Sequence, residues 1–188
     1  MKRLLIMGPP GAGKGTQAVA LAELTGGAHI STGDIFRANV SGETELGKIA
    51  KRFMDNGEYV PDEVTNAMVK DRLNEDDARE AFLLDGYPRT LDQVTTLDEI
   101  LAELGTELDG VIALTVDPEE LIERLLERAK SSGRTDDTEV VIRHRQGIYT
   151  TETEPLLDVY RKRGILHEID GMGTVEEVGA RIAAVLAN

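Results

Sequence analysis

The stretch Gly8-Pro9-Pro10-Gly11-Ala12-Gly13-Lys14-Gly15-Thr16 sets four glycines, a lysine and a hydroxyl within nine residues. Residues of these types bind anions. Backbone N–H groups in a glycine-rich turn can point inward at a phosphate, the helix that follows presents its positive end, and a lysine on a flexible stem follows the charge. The general phosphate-loop pattern G-x-x-x-x-G-K-[ST] fits at Gly8, Gly13 and Lys14. Gly15 stands where the pattern wants Ser or Thr, and Thr16 comes one residue later.

Other groups suited to phosphate chemistry follow. In Leu84-Asp85-Gly86-Tyr87-Pro88-Arg89 an apolar run ends in an acid, with Gly86 and Pro88 shaping the loop that carries Arg89. Asp85 has two readings, an acid that helps hold magnesium or a cap on the strand end. Arg89 is an anion ligand or a surface residue. Thr32-Gly33-Asp34-Ile35-Phe36-Arg37 is another anion-friendly helix start, although an N-capped helix with a solvated Arg37 explains it equally well. Arg124 and Arg128 lie four apart on one helical face. Glu120, four before Arg124, offers that arginine a simple surface ion pair. Arg134 falls in a polar stretch beside Asp136 and Asp137. Arg145 sits among Val141, Ile142, Ile148 and Tyr149, and an arginine in an apolar stripe needs an anion, whether a ligand or a structural partner. Guanidinium groups suit bidentate contact with phosphate. Gln93 completes the capping-box spelling Thr90-Leu91-Asp92-Gln93, or it reads the edge of a base. His29, His144 and His167 are scattered and have no metal-ligand spacing.

These residues need a scaffold, and the apolar runs supply one. Lys2–Met7, Ala28–Ser31, Ala81–Leu84 ending at Asp85, Gly110–Val116 and Ile165–Ile169 read as strands. Helical patterns separate them: Gln17–Leu24, Gly33–Val40, Glu45–Asn56, Asp62–Asn74, Thr90–Leu104, a helix capped by Asp117 and running to about Arg128, one from Thr138 to about Arg163 bent near Glu154-Pro155, and a last helix opening at Thr174. Residues 129–137 read as a polar loop. The alternation predicts an α/β fold with a five-stranded parallel sheet, helices on both faces and ligands at the carboxyl ends of the strands. Gly8, Ser31, Asp85 and Asp117 fall at such ends. Residues 32–60 contain no strand and predict a small helical excursion.

The chain has 188 residues, 40% of them hydrophobic, which predicts one domain with a substantial core. No apolar run approaches the length of a membrane span, and the N-terminal residues do not spell a signal peptide. The chain has no cysteine, which excludes disulfides and thiolate zinc sites and fits a cytoplasmic protein. A net charge of −14 argues against non-specific nucleic-acid binding. Against that background, clustered arginines point to a small anionic substrate.

Taken in order, Gly8 to Thr16, Ser31-Thr32-Gly33-Asp34 with Arg37, Phe82 to Arg89 with Gln93, Arg124, Arg128, Gly133 to Asp137 and Arg145 resemble the adenylate kinase family over essentially the whole chain. Lys14-Gly15-Thr16 is that family's own spelling of the loop. The resemblance implies a phosphate-loop NTPase-type three-layer fold in one domain, residues 1–188. Its core would comprise 1–30, 61–128 and 138–188, its AMP-binding segment 31–60 and its short lid 129–137. The implied reaction is reversible transfer of the terminal phosphoryl group of Mg–ATP to AMP, giving two ADP, in adenine nucleotide homeostasis and salvage. Gly11, Ala12, Gly13, Lys14, Gly15 and Thr16 would hold ATP phosphates, with Arg128 against ATP and Gly173 placing a backbone group at its adenine. Thr32, Arg37, Glu58, Tyr59, Val60, Gly86, Tyr87, Pro88, Arg89 and Gln93 would hold AMP. Arg134 and Arg145 would clamp the reacting phosphates, and Lys14, Arg89, Arg124 and Arg128 would complete the catalytic set. Asp85 would hold magnesium through water. The short lid, without cysteine, resembles the bacterial form that carries no zinc. A cytoplasmic monomer with no nucleic-acid or membrane partner is expected. Kinases for UMP and CMP share the loop and the arginines but tend to differ at Thr32 and Gln93. A guanine-nucleotide switch would need an Asn-Lys-x-Asp motif, which is absent.

Overall fold

The computed structural model describes residues 2–134 and 137–187. Five strands, β1 (Arg3–Met7), β2 (Ala28–Ser31), β3 (Phe82–Asp85), β4 (Gly110–Thr115) and β5 (Leu166–Asp170), form one parallel sheet in the order β2-β3-β1-β4-β5. The register pairs Leu5 with Leu84 and with Val111, and Ser31 with Asp85. β1 is therefore central, and the loop after it emerges where the connections part to either side, the position at which open α/β sheets bind ligands.

Side-chain alternation along the strands builds two cores. Leu5, Met7, Phe82, Leu84 and Val111 face one side, against α4 (Asp62–Leu73), α5 (Leu91–Glu103) and α8 (Leu156–Lys162). Leu4, Ile6, Leu83, Ile112 and Leu114 face the other, against α1 (Lys14–Thr25), α6 (Pro118–Ser132) and α9 (Val175–Leu186). Strands covered on both faces read as unbroken apolar runs, and each such residue contributes about 1.5–3 kcal/mol on burial. The three-layer α/β expectation is met.

Between β2 and β3 run α2 (Thr32–Ser41), α3 (Glu45–Met54) and α4. The first two gather a small core of their own, Phe36, Ala50 and Val60 with Val40, Leu46, Phe53 and Met54, and Met68 of α4 joins it to the main core. Ser31 caps α2 through Asp34 N–H, and Thr44 caps α3 through Gly47 N–H. Gly47 is also where α3 crosses the end of α2: a Cβ there would stand 2.0 Å from the Asn39 carbonyl oxygen. Only glycine admits that approach.

Two stretches differ from the expectation. The helix α6 continues past Arg128 to Ser132, where Gly133 stops it in the left-handed conformation. Ala129 and Lys130 are good helix formers and the two serines are tolerated in a last turn, so residues 129–132, expected in the polar loop, are helical. Thr135 and Asp136 of that loop lie outside the described residues. The helix expected from Thr138 to Arg163 is divided. α7 (Glu139–Ile148) gives way to a π turn at Tyr149–Thr153 before α8 begins. Glu154 N–H donates to Tyr149 O five residues back, and Pro155, with no N–H of its own, loosens the turn that precedes it.

Candidate active site

The loop between β1 and α1 folds back on Lys14. Gly11 (φ +88°) lies against α6, where a Cβ would stand 2.9 Å from Leu125 Cγ and 3.0 Å from Leu121 O. Lys14 Nζ donates to Gly8 O at 2.8 Å and to Pro9 O at 3.1 Å. Burial lowers its pKa to about 8. Asp85 opposes that shift, and the charges of Arg89, Arg145 and Arg128 add to it. A lysine held among three arginines marks a site built to receive negative charge.

Two clefts open on the carboxyl ends of the strands. The first lies under the helical excursion and is lined by Thr32, Arg37, Glu58, Tyr59, Val60, Gly86, Tyr87, Pro88, Arg89 and Gln93, the residues expected at AMP apart from Arg134 and Arg145. Arg145 lines it too; Arg134 does not, and lines only the second cleft. Thr32 Oγ1 donates to Gly86 O at 3.0 Å, and Arg89 Nε donates to the same oxygen at 2.7 Å. Thr90 Oγ1 accepts from the Gln93 N–H, so the backbone half of the capping box forms. The Gln93 side chain does not complete it. Its Oε1 accepts from Arg89 N–H at 2.7 Å and its Nε2 donates to Asp62 Oδ1 at 2.8 Å. One N–H and one lone pair of a buried amide remain, the donor and acceptor that a base edge needs.

The second cleft runs from the loop to α6 and α9. Gly11 to Thr16, Asp85, Arg124, Arg128, Arg134, Gly171 and Gly173 line it. Gly173 thus reaches it together with Gly171, whose carbonyl oxygen accepts from Arg124 Nη2 at 3.3 Å. Arg124 also takes the Glu120 ion pair foreseen for it, at 2.8 Å. Asp85 is buried at the end of β3, with Gly15 beside its carboxylate.

Lys14, Arg37, Arg89 and Arg145 line both clefts. Two anionic ligands, one in each, would bring their phosphates together on these four cations. Charge of that density, fixed before a ligand arrives, is what transfer of a phosphoryl group between two anions requires.

Three participants were missed in the sequence. Asp137 is buried, and its carboxylate accepts from Arg128 Nε and Nη2 at 2.7 and 2.6 Å and from Arg145 Nη1 at 3.4 Å. Burial alone would raise its pKa, but the Arg128 hydrogen bonds and the charges of Arg128, Arg145 and Arg134 hold it below the ordinary range. Arg145 therefore has a structural counter-ion and a place in the cleft at once. Asp62 also accepts from Thr90 Oγ1 at 3.0 Å, and Thr153 touches Arg89. These pairings join distant segments, and no periodicity announces them. His29, passed over for want of metal spacing, brings Nε2 within 3.6 Å of Asp85 Oδ2.

The family model of adenylate kinase matches residues 6–165 of this chain. An adenylate kinase of Thermobifida fusca is 59% identical over 184 residues, 98% of this chain and 97% of that protein. One of Pseudarthrobacter chlorophenolicus is 59% identical over 182 residues, 97% of this chain and 95% of its own length. One of Clavibacter michiganensis is 58% identical over 187 residues, covering 100% and 94%.

Proposed function

Because the chain belongs to the adenylate kinase family, it transfers a phosphoryl group from ATP to AMP, giving ADP, and we propose that its two clefts divide the substrates between them. ATP occupies the cleft of the glycine loop, on Gly11 to Thr16 with Arg124 and Arg128, its base near Gly173. AMP lies under the excursion, on Thr32, Arg37, the backbone of residues 58–60, Gly86 to Arg89 and Gln93. The observation that carries this assignment is the set of four cations common to both clefts.

In the reaction an oxygen of the AMP phosphate attacks the γ-phosphorus of ATP. A new P–O bond forms, the bond to the β-bridging oxygen breaks, and that oxygen leaves as the terminal oxygen of ADP. The attacking phosphate is already ionised, so no general base is needed. Lys14, Arg37, Arg89 and Arg145, with Arg124, Arg128 and Arg134 on the donor side, align the two phosphates and neutralise the developing charge. Family membership implies magnesium with ATP. Among the described residues no group of three or more histidine and carboxylate side chains could cage a metal ion. A single buried carboxylate, Asp85, faces the phosphate loop, which fits an ion held mainly by phosphates and water. Bound there, magnesium would add positive charge at the donor phosphates.

Water would compete with AMP in an open site. Residues 31–60, with their own small core, act as the AMP-side cover, and the loop around Arg134 acts as a short lid; both close during transfer. No helix among the described residues is long and apolar enough to cross a membrane. Among the described residues one chain supplies the expected lining of both clefts, which fits a monomer, and the absence of cysteine fits the cytoplasm. The test is to supply Mg–ATP with AMP, CMP, UMP, GMP or dTMP and measure the diphosphates formed. AMP is the best acceptor. If another monophosphate outperforms it, the assignment of the acceptor cleft is wrong.

A further inference from the structure

The excursion touches two arginines of other segments that line both clefts, Arg89 and Arg145. Tyr59 lies in the turn between α3 and α4, and Arg89 Cζ stands 5.2 Å from the centroid of its ring. The Tyr59 hydroxyl is 2.6 Å from Thr153 Oγ1, and Thr153 Oγ1 donates to Arg89 O at 2.7 Å. A hydroxyl has one proton and a carbonyl can only accept. The Thr153 proton therefore goes to Arg89, and Tyr59 must be the donor to Thr153. The relay has one direction: Tyr59 to Thr153 to the Arg89 carbonyl. Thr153 is 4% exposed, so the groups it joins have little access to water as an alternative partner.

The surrounding structure makes this relay specific to Arg89. Gln93 Oε1 holds the Arg89 N–H and Thr153 holds its C=O, so both polar groups of its main chain are gripped by side chains. Thr153 closes the π turn, the irregularity that interrupts the helix beside the cleft. Two residues before Tyr59, Gly57 backs onto α7, where a Cβ would stand 2.9 Å from Arg145 Cγ. The excursion thus rests on the carriers of both cations.

We propose that Tyr59 is a positioning residue for Arg89. Its ring underlies the guanidinium, and its hydroxyl, through Thr153, fixes the backbone from which that guanidinium extends. Seating the excursion over the acceptor cleft and bringing Arg89 to its working position are then one event. An AMP phosphate meets the fully placed arginine only after water has been covered out. This rests on the reading that Arg89 serves the acceptor phosphate.

The test is steady-state kinetics on the full chain with Tyr59→Phe, Thr153→Val, the double variant and Thr153→Ser. Losing the relay lowers kcat/KM for AMP by about threefold to tenfold in each of the first two. KM for Mg–ATP stays at its wild-type value in both, and the thermal midpoint stays in Tyr59→Phe, which leaves the Thr153–Arg89 bond in place. The double variant is no worse than the poorer single one, because both remove the same connection. Thr153→Ser, which keeps the hydroxyl, recovers most of the Thr153→Val loss. A loss in Tyr59→Phe below about threefold overturns the proposal, as does a double variant whose loss is the product of the singles. If Thr153→Val does not fold, the isosteric Tyr59→Phe decides alone. Wild-type turnover of AMP tests the underlying reading separately: an active AMP kinase indifferent to Tyr59→Phe removes only this inference.

Discussion

Binding of ATP should draw a proton onto the protein at alkaline pH, because Lys14 is depressed to about 8 in the free protein. A phosphate beside it restores the charged form and returns the pKa toward the ordinary lysine range. At pH 8.5 about three-quarters of the free molecules carry a neutral Lys14, against about 3% at pH 6.5. Titrating Mg–ATP without AMP, in buffers of different ionisation enthalpy, measures the uptake by calorimetry. About 0.7 proton is expected at pH 8.5 and close to none at pH 6.5. The ligand adds little, since terminal phosphates ionise near pH 6 and are fully charged well above it. The sign follows from linkage. The bound state holds the proton and the free state loses it as pH rises through 8, so ATP binding weakens over that range, by about tenfold between pH 7 and pH 9. In Lys14→Arg the guanidinium does not titrate, and the uptake disappears. Uptake below about 0.2 proton in the wild type at pH 8.5, or uptake that survives in Lys14→Arg, would refute the placement of Lys14 against the donor phosphates.

Arg89→Ala is expected to lower turnover by at least about a hundredfold; a near-normal rate removes Arg89 from the reaction. Asp137→Asn leaves Arg128 and Arg145 facing each other without their carboxylate and should cost about 1–3 kcal/mol, visible as a lower urea midpoint. Gly47→Ala drives a methyl group into Asn39 O and should cost about 1–3 kcal/mol. Because the excursion has a core of its own, the loss should appear as faster hydrogen exchange confined to residues 32–60. Asp62→Ala frees one end of the Gln93 amide, and KM for AMP should rise about threefold to tenfold while KM for ATP holds; equal changes in both would show general damage.

How much of this was legible in the sequence depended on range. Where the candidate site rests on contiguous spelling, as in Gly8 to Thr16 or Gly86 to Arg89, residue types and their order were enough to pick out residues that line the clefts. The three inner strands were equally plain, because strands covered on both faces demand apolar runs, while the edge strands β2 and β5 carry polar residues. The stretch from Ala129 to Ser132 misled, since serines and charge suggested a loop while helix propensity and the stop at Gly133 set the end. Gln93 fits the capping-box spelling and forms half of the box, but Asp62 and the Arg89 N–H offer its side chain better partners. Asp137 was hidden for a similar reason. It lies nine residues after one arginine and eight before the other, across a break between helices, and no helical period relates the three.

The cations of the site are not bare. Lys14 rests on Gly8 O and Pro9 O, Arg37 on Asp34, Arg89 on Gly86 O, Arg124 on Glu120, and Arg128 and Arg145 on Asp137. Each has a resident surrogate for the phosphate it awaits. Substrate arrival is therefore an exchange of partners, and a ligand gains only the difference between its own contacts and those it displaces. A lone chloride or inorganic phosphate can displace one surrogate and gains almost nothing. A nucleotide that reaches several cations at once gains the sum. These internal partners, carbonyls and carboxylates alike, act as a threshold that turns the site into a counter of charges, responsive to polyanions of the right length.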